Sequence, residues 1–302
     1  MHMRFLPVLA LLALLGACRS NVQQDEQEFQ QQLQNDSVGR VNPGIDDAFV
    51  EGILQQIPSP IEVSTLLQQS GAPYESALIN DPDNVANYGS NFRKALNLGV
   101  FGTDLYYTNI YGKNTDGMLL LDPIKSLAND LDIGQFFDMK TLARLASNSQ
   151  NLDSLLVLTT QNFNDINLFL QQKKRSELSV LMLTGGWVEA MNILCQAYKH
   201  NPKTSALADH IGEQKIIMER LLLLYPYYSS DKHILDLASE MKELEEAYAG
   251  VEIIKSYKES TVEIVNGVGI IKDNSTTTVR ITPAQLEKII RQTEIIRNKI
   301  VH

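Results

Sequence analysis

The chain has 302 residues, with 26 Lys and Arg against 36 Asp and Glu for a formal net charge of −10, and two cysteines, Cys18 and Cys195. That acidic balance argues against nucleic acid or an anionic lipid surface as partner, because both are recognised by clustered cations. Two cysteines exclude a disulfide-rich scaffold, so stability must come from an apolar core, which a chain of this length can build.

Residues 1–18 carry the clearest signal. Arg4 precedes an apolar run over 5–15, and Leu15-Gly16-Ala17 sets small residues directly before Cys18. The run is too short to cross a hydrocarbon core of about 30 Å as a permanent helix. The segment resembles a bacterial lipoprotein signal with its lipobox. The resemblance implies cleavage before Cys18 and acylation of both the new amino terminus and the thiol. Each buried methylene contributes about 0.8 kcal/mol, so several chains together make a lasting membrane anchor. Arg19 follows the cysteine, where an aspartate would be the usual inner-membrane retention signal, so the outer membrane is the expected location, with its periplasmic face ahead of the cell surface and the leaflet left open by the sequence. Removing residues 1–17 takes away Arg4 and moves the net charge from −10 to −11.

Residues 18–44 are polar and glutamine-rich, including Gln30-Gln31-Gln32, and read as a disordered tether behind the lipidated cysteine. Asp36-Ser37-Val38 resembles a short O-glycosylation motif of exported Bacteroidota proteins, which marks Ser37.

Over 45–302 a single helical domain is expected. Its punctuation is proline placed directly after capping residues: Ser59-Pro60-Ile61-Glu62, Asp81-Pro82, Asp122-Pro123, Asn201-Pro202 and Thr282-Pro283-Ala284-Gln285. Between these lie apolar-periodic segments at roughly 90–111, 115–132, 139–147, 151–172, 176–200, 204–225 and 231–258. At 178–194 the apolar run is interrupted by Gly185-Gly186, Glu189 and Asn192, which argues for a buried helix rather than a membrane span. The glycine pair predicts close approach of another helix, with Trp187 filling the neighbouring space. Residues 261–281 are rich in β-branched types and predict a β-hairpin turning near Asp273. A capped terminal helix follows at about 283–300, with Ile289, Thr293, Ile296 and Ile300 on one stripe. The fold class is therefore all-α, an irregular multi-helix bundle with a C-terminal β-hairpin and a terminal helix.

Catalytic patterns are sparse. No histidine pair has the spacing of a helical zinc site, no strand-to-helix nucleophile elbow is present, and Gly267-Val268-Gly269 lacks the third glycine of a phosphate cradle. Asp231, His233 and Asp236 could share a helical turn, but Lys232 sits among them and a cap explains Asp231. Cys195, in an apolar segment, reads as a packed thiol. No cofactor or metal is expected. The acidic run Glu240, Glu243, Glu245 and Glu246, with Lys242 and Lys255, reads as a solvated face. Tyr106, Tyr107 and Tyr111, and Tyr225, Tyr227 and Tyr228, suit either a protein interface or core positions bonded to carbonyls.

The blocks Ile57-Pro58-Ser59-Pro60-Ile61-Glu62, Lys94-Ala95-Leu96-Asn97-Leu98-Gly99-Val100-Phe101-Gly102-Thr103-Asp104-Leu105, Gly185-Gly186-Trp187-Val188-Glu189 and Ile211-Gly212-Glu213-Gln214-Lys215 resemble an uncharacterised helical lipoprotein family of Bacteroidota. The resemblance spans roughly 50–302 and implies an envelope protein, with no activity to transfer. Two readings follow. The first is a non-catalytic binding or scaffold module, held to the membrane through Cys18, for an envelope protein complex. The second is a small-molecule binder or enzyme with a pocket between helices near Gly102-Thr103-Asp104, Tyr106 and Gly185-Gly186-Trp187.

Overall fold

The computed structural model describes residues 47–56, 67–68, 70–138, 140, 152–200, 202, 205–265, 268–272 and 274–302. Cys18, Ser37, the Ser59-Pro60 cap and, apart from residue 140, the expected helix at 139–147 lie outside them. The described elements, in chain order, are α1 (Asp47–Gln56), α2 (Asn91–Ile110), α3 (Asn114–Leu119), α4 (Leu121–Asp130), α5 (Leu152–Gln172) and α6 (Ser176–His200). They continue with α7 (Ser205–Glu213), α8 (Lys215–Leu224), α9 (Lys232–Ala247), β1 (Glu252–Ser256), β2 (Thr261–Val265), β3 (Val268–Lys272), β4 (Thr276–Arg280) and α10 (Pro283–Val301). The fold is thus an irregular helical bundle with a β-hairpin ahead of a terminal helix.

Helices α2 and α6 form the central pair. Both are buried over most of their length, and the apolar part of α6 is enclosed by the protein itself. Glycines permit the approach. A Cβ on Gly99 would run into the carbonyl oxygen of Met182, and one on Gly185 would strike the carbonyl oxygen of Leu96. Small residues here let two backbones touch, so the cost of glycine within a helix is offset by packing. Close approach at Gly185 follows from the glycine pair; its counterpart Gly99 carried no comparable signal. Trp187 is 2% exposed and fills the adjacent core.

Terminal helix α10 lies against α6 and α9. Its start is a full capping box, with the Thr282 hydroxyl accepting from the Gln285 amide and the Gln285 side chain accepting from the Thr282 amide. Ile289, Thr293, Ile296 and Ile300 are all buried, as their spacing predicts.

Four boundaries differ from the sequence expectation. Residues 115–132 break at Leu120 into α3 and α4, with Asp122 inside the first turn rather than capping it. Residues 204–225 break at Gln214, which is held because its side chain accepts from Trp187 Nε1 at 3.0 Å. Asp81 does cap through its side chain, but what it caps is a 3-10 turn over Pro82–Asn87. Helix α9 stops at Ala247, and the chain reverses through Gly250 at φ +79° into a strand where the helix was expected to run to 258.

The hairpin is accordingly longer than expected and turns elsewhere. Strand β1 pairs with β4 (Glu252 with Arg280, Ser256 with Thr276), and β2 pairs with β3 (Thr261 with Lys272, Val265 with Val268). Val265 pairs with Val268, so the strands reverse between these two residues; Asp273, where the turn was expected, lies outside the described residues. Between the two ladders the register slips by one residue, as in a β-bulge. Asn274 bridges that irregularity, donating to the Glu259 carbonyl at 2.7 Å and to the Thr261 hydroxyl at 3.2 Å. The base of the hairpin is seated where Val279 packs on Gly212 of α7. Its outer positions are open: Ile254 is 40% and Tyr257 81% exposed.

Candidate functional site

The most unusual chemistry lies where α2, α6 and α10 meet. Asp104 and Glu189 are both 0% exposed. Arg297 clasps Glu189 through Nε to Oε2 at 2.9 Å and through its terminal nitrogen to Oε1 at 3.1 Å, a bidentate arrangement. The same guanidinium donates to the Leu78 carbonyl at 3.3 Å. Asp104 Oδ2 accepts from the Asn80 amide at 2.9 Å. Glu189 thus has a largely enclosed cation of its own, and Asp104 is held by the Asn80 amide.

Burial, and then the charge of Glu189 beside it, push the Asp104 carboxyl well above the usual carboxylate range. Its other oxygen, Oδ1, has no hydrogen-bond partner among the described residues. The guanidinium of Arg297, although desolvated, is held charged by Glu189 and Asp104, and its pKa is raised.

Around this cluster the carbonyls at the end of α10, which have no helical partner, are capped by side chains. Asn97 donates to the Ile300 carbonyl at 2.9 Å, Arg93 to the same carbonyl at 3.4 Å, and the Tyr88 hydroxyl to the Val301 carbonyl at 3.1 Å. Asn80 donates to the Tyr88 hydroxyl at 2.9 Å. The network therefore welds the terminal helix to α2 and to the segment before it.

The other sequence candidates occupy structural positions. Thr103 donates to the Gly186 carbonyl at 3.1 Å, next to the glycine contact. Tyr106 and Tyr107 are buried, and the Tyr107 hydroxyl accepts from the Glu75 amide at 3.0 Å. Tyr111 donates to the Ala72 carbonyl at 2.7 Å, and Tyr74, Tyr107 and Tyr111 stack with centroids 5.1–5.8 Å apart. Tyr228 is buried, Tyr225 shares a hydrogen bond with Thr184, and Tyr227 packs on Phe49 at 5.2 Å. These tyrosines are packed within the domain.

Cys195 is 0% exposed, and burial pushes its thiol up to about 12. Asp231 caps α9 by accepting from the His233 amide at 2.8 Å, and Lys232 pairs with Asp236 at 2.7 Å, so neither aspartate is presented as a metal ligand. Among the described residues no group of three or more His, Cys, Asp or Glu is placed to hold a metal. The acidic stretch of α9 is partly tied to α10: Lys299 pairs with Glu240 at 2.7 Å and Gln292 donates to Glu243 at 2.9 Å.

Sequence reasoning singled out Asp104 and noted Glu189, but missed Arg297, which joins them. No family model, curated protein or solved structure matches the chain.

Proposed function

We propose that the protein is an outer-membrane lipoprotein, anchored through Cys18 on the periplasmic face, that serves as a non-catalytic binding or scaffold module for an envelope protein complex. The observation that carries the reading is Leu15-Gly16-Ala17-Cys18 after a short apolar run, followed by a polar stretch ahead of the helical domain. Two structural features support it. Glu189 is committed to Arg297 and Asp104 to the Asn80 amide, which suits them to fixing the terminal helix. The hairpin leaves Tyr257 and Ile254 exposed, and exposed aromatic and aliphatic groups suit a protein partner.

The test is affinity purification of the full chain from gently solubilised native membranes, with and without a crosslinker. A reproducible envelope protein partner, weakened by Tyr257→Ser, is expected. A clean monomer under both conditions contradicts the scaffold role.

A further inference from the structure

A cavity of about 120 Å³ opens between the start of α2, the first turns of α9 and the end of α10. Its apolar wall is Phe92, Leu96, Leu237 and Ile300, and Arg93 and His233 also line it. It is separate from the Asp104–Glu189–Arg297 cluster, none of whose members line it.

Its charges are unevenly compensated. Asp236 and Glu240 also border the cavity, but each already has its own lysine, Lys232 at 2.7 Å and Lys299 at 2.7 Å. Arg93 has no carboxylate partner among the described residues. It rests over the Tyr88 ring at 5.5 Å and makes one long bond, 3.4 Å, to the Ile300 carbonyl. Its Nε is buried and has no acceptor among the described residues. A guanidinium that lines a cavity without a carboxylate partner can gain a charge-assisted hydrogen bond from an added carboxylate through its accessible nitrogens. The His233 ring lies 5.4 Å from that of Phe92 and makes no side-chain hydrogen bond among the described residues, so a second polar group faces the same space.

We propose that this cavity binds a small aliphatic monocarboxylate, with the carboxylate on Arg93 and the hydrocarbon body against Leu96, Leu237 and Phe92. Size sets the class. An enclosed cavity of about 150 Å³ holds benzene, so this slightly smaller one, open on one side, has room inside it for an acid of roughly six heavy atoms. Charge sets the sign: with both carboxylates at the rim paired to lysines, Arg93 is the uncompensated group. Ligands of this size bind weakly, with a Kd on the order of 1 mM.

The test titrates the full chain with butyrate and with its neutral isostere butyramide, followed by ligand-observed NMR and calorimetry. Saturable butyrate binding is expected, with butyramide and the Arg93→Gln variant each weaker by roughly tenfold, the range of one charge-assisted hydrogen bond. Glu240→Gln, which removes a negative charge from the rim, should tighten butyrate. As a check that requires no substitution, the butyrate methyl should show NOEs to the Phe92 and His233 ring protons in the unaltered chain. Absence of saturation into the tens of millimolar, equal binding of butyramide, or bound butyrate without those NOEs would overturn the proposal.

Discussion

Arg297 grips Glu189 with two nitrogens, at 2.9 and 3.1 Å, inside a core where Glu189 is wholly enclosed. Removing one partner of a buried ion pair leaves the other charge without compensation, and such losses run to about 3–5 kcal/mol. Arg297→Met should therefore destabilise the domain by about that amount, measured by urea unfolding. Asp104→Asn should cost far less at neutral pH, because an amide still accepts from the Asn80 amide and can donate to Glu189. Equal losses in the two variants would contradict the arrangement.

The same cluster makes stability depend on pH with a definite sign. Burial and Glu189 raise Asp104 well above its ordinary value of 3.8, so the folded chain keeps a proton that the unfolded chain releases. The stabilisation from Asp104 is complete below pH 3.8 and is lost progressively as pH rises from there through the folded-state pKa. Unfolding measured across pH should show wild type losing stability relative to Asp104→Asn as pH increases. Parallel curves would refute the raised pKa.

Glycine substitutions separate contact from conformation. Gly99→Ala and Gly185→Ala both push a methyl into a facing backbone carbonyl and should destabilise by about 2 kcal/mol or more. Gly102, also on α2, is exposed and has nothing within 4 Å of its missing Cβ. Gly102→Ala should stabilise by up to about 1 kcal/mol through helix propensity alone. Thermal melting of the three variants distinguishes them.

Buried and with its thiol raised to about 12, Cys195 should resist aromatic disulfide reagents in the native chain and react only once denaturant opens the core. Rapid labelling under native conditions would show that the region around α6 opens readily.

Much of the fold was legible because its signals are local. Thr282-Pro283 with Gln285 marks the start of α10 by side-chain chemistry confined to four residues, and the Ile289, Thr293, Ile296, Ile300 spacing marks its buried face. The hairpin was misplaced because two local signals competed. Asp273-Asn274-Ser275 looks like a turn, yet Asn274 spans a register slip, and the strands reverse between Val265 and Val268, next to a second turn-like dipeptide in the sequence. The end of α9 was missed because Glu252-Ile253-Ile254-Lys255 fits a helical pattern as well as a strand, and Gly250 was the deciding stop signal. The carboxyl cluster could be read only in part. Asp104 and Glu189 stand out as charges in apolar helices, but Arg297 lies 108 positions beyond Glu189 in a helix with charged neighbours, and only packing brings it inward.

Lipid at Cys18 is what would hold the protein at a membrane, and intact-mass and peptide mass spectrometry of the protein from native membranes tests it directly. The expected result is a mature chain beginning at Cys18, with the acyl mass on its amino group and sulfur. A mature amino terminus elsewhere, or an unmodified Cys18, would contradict it.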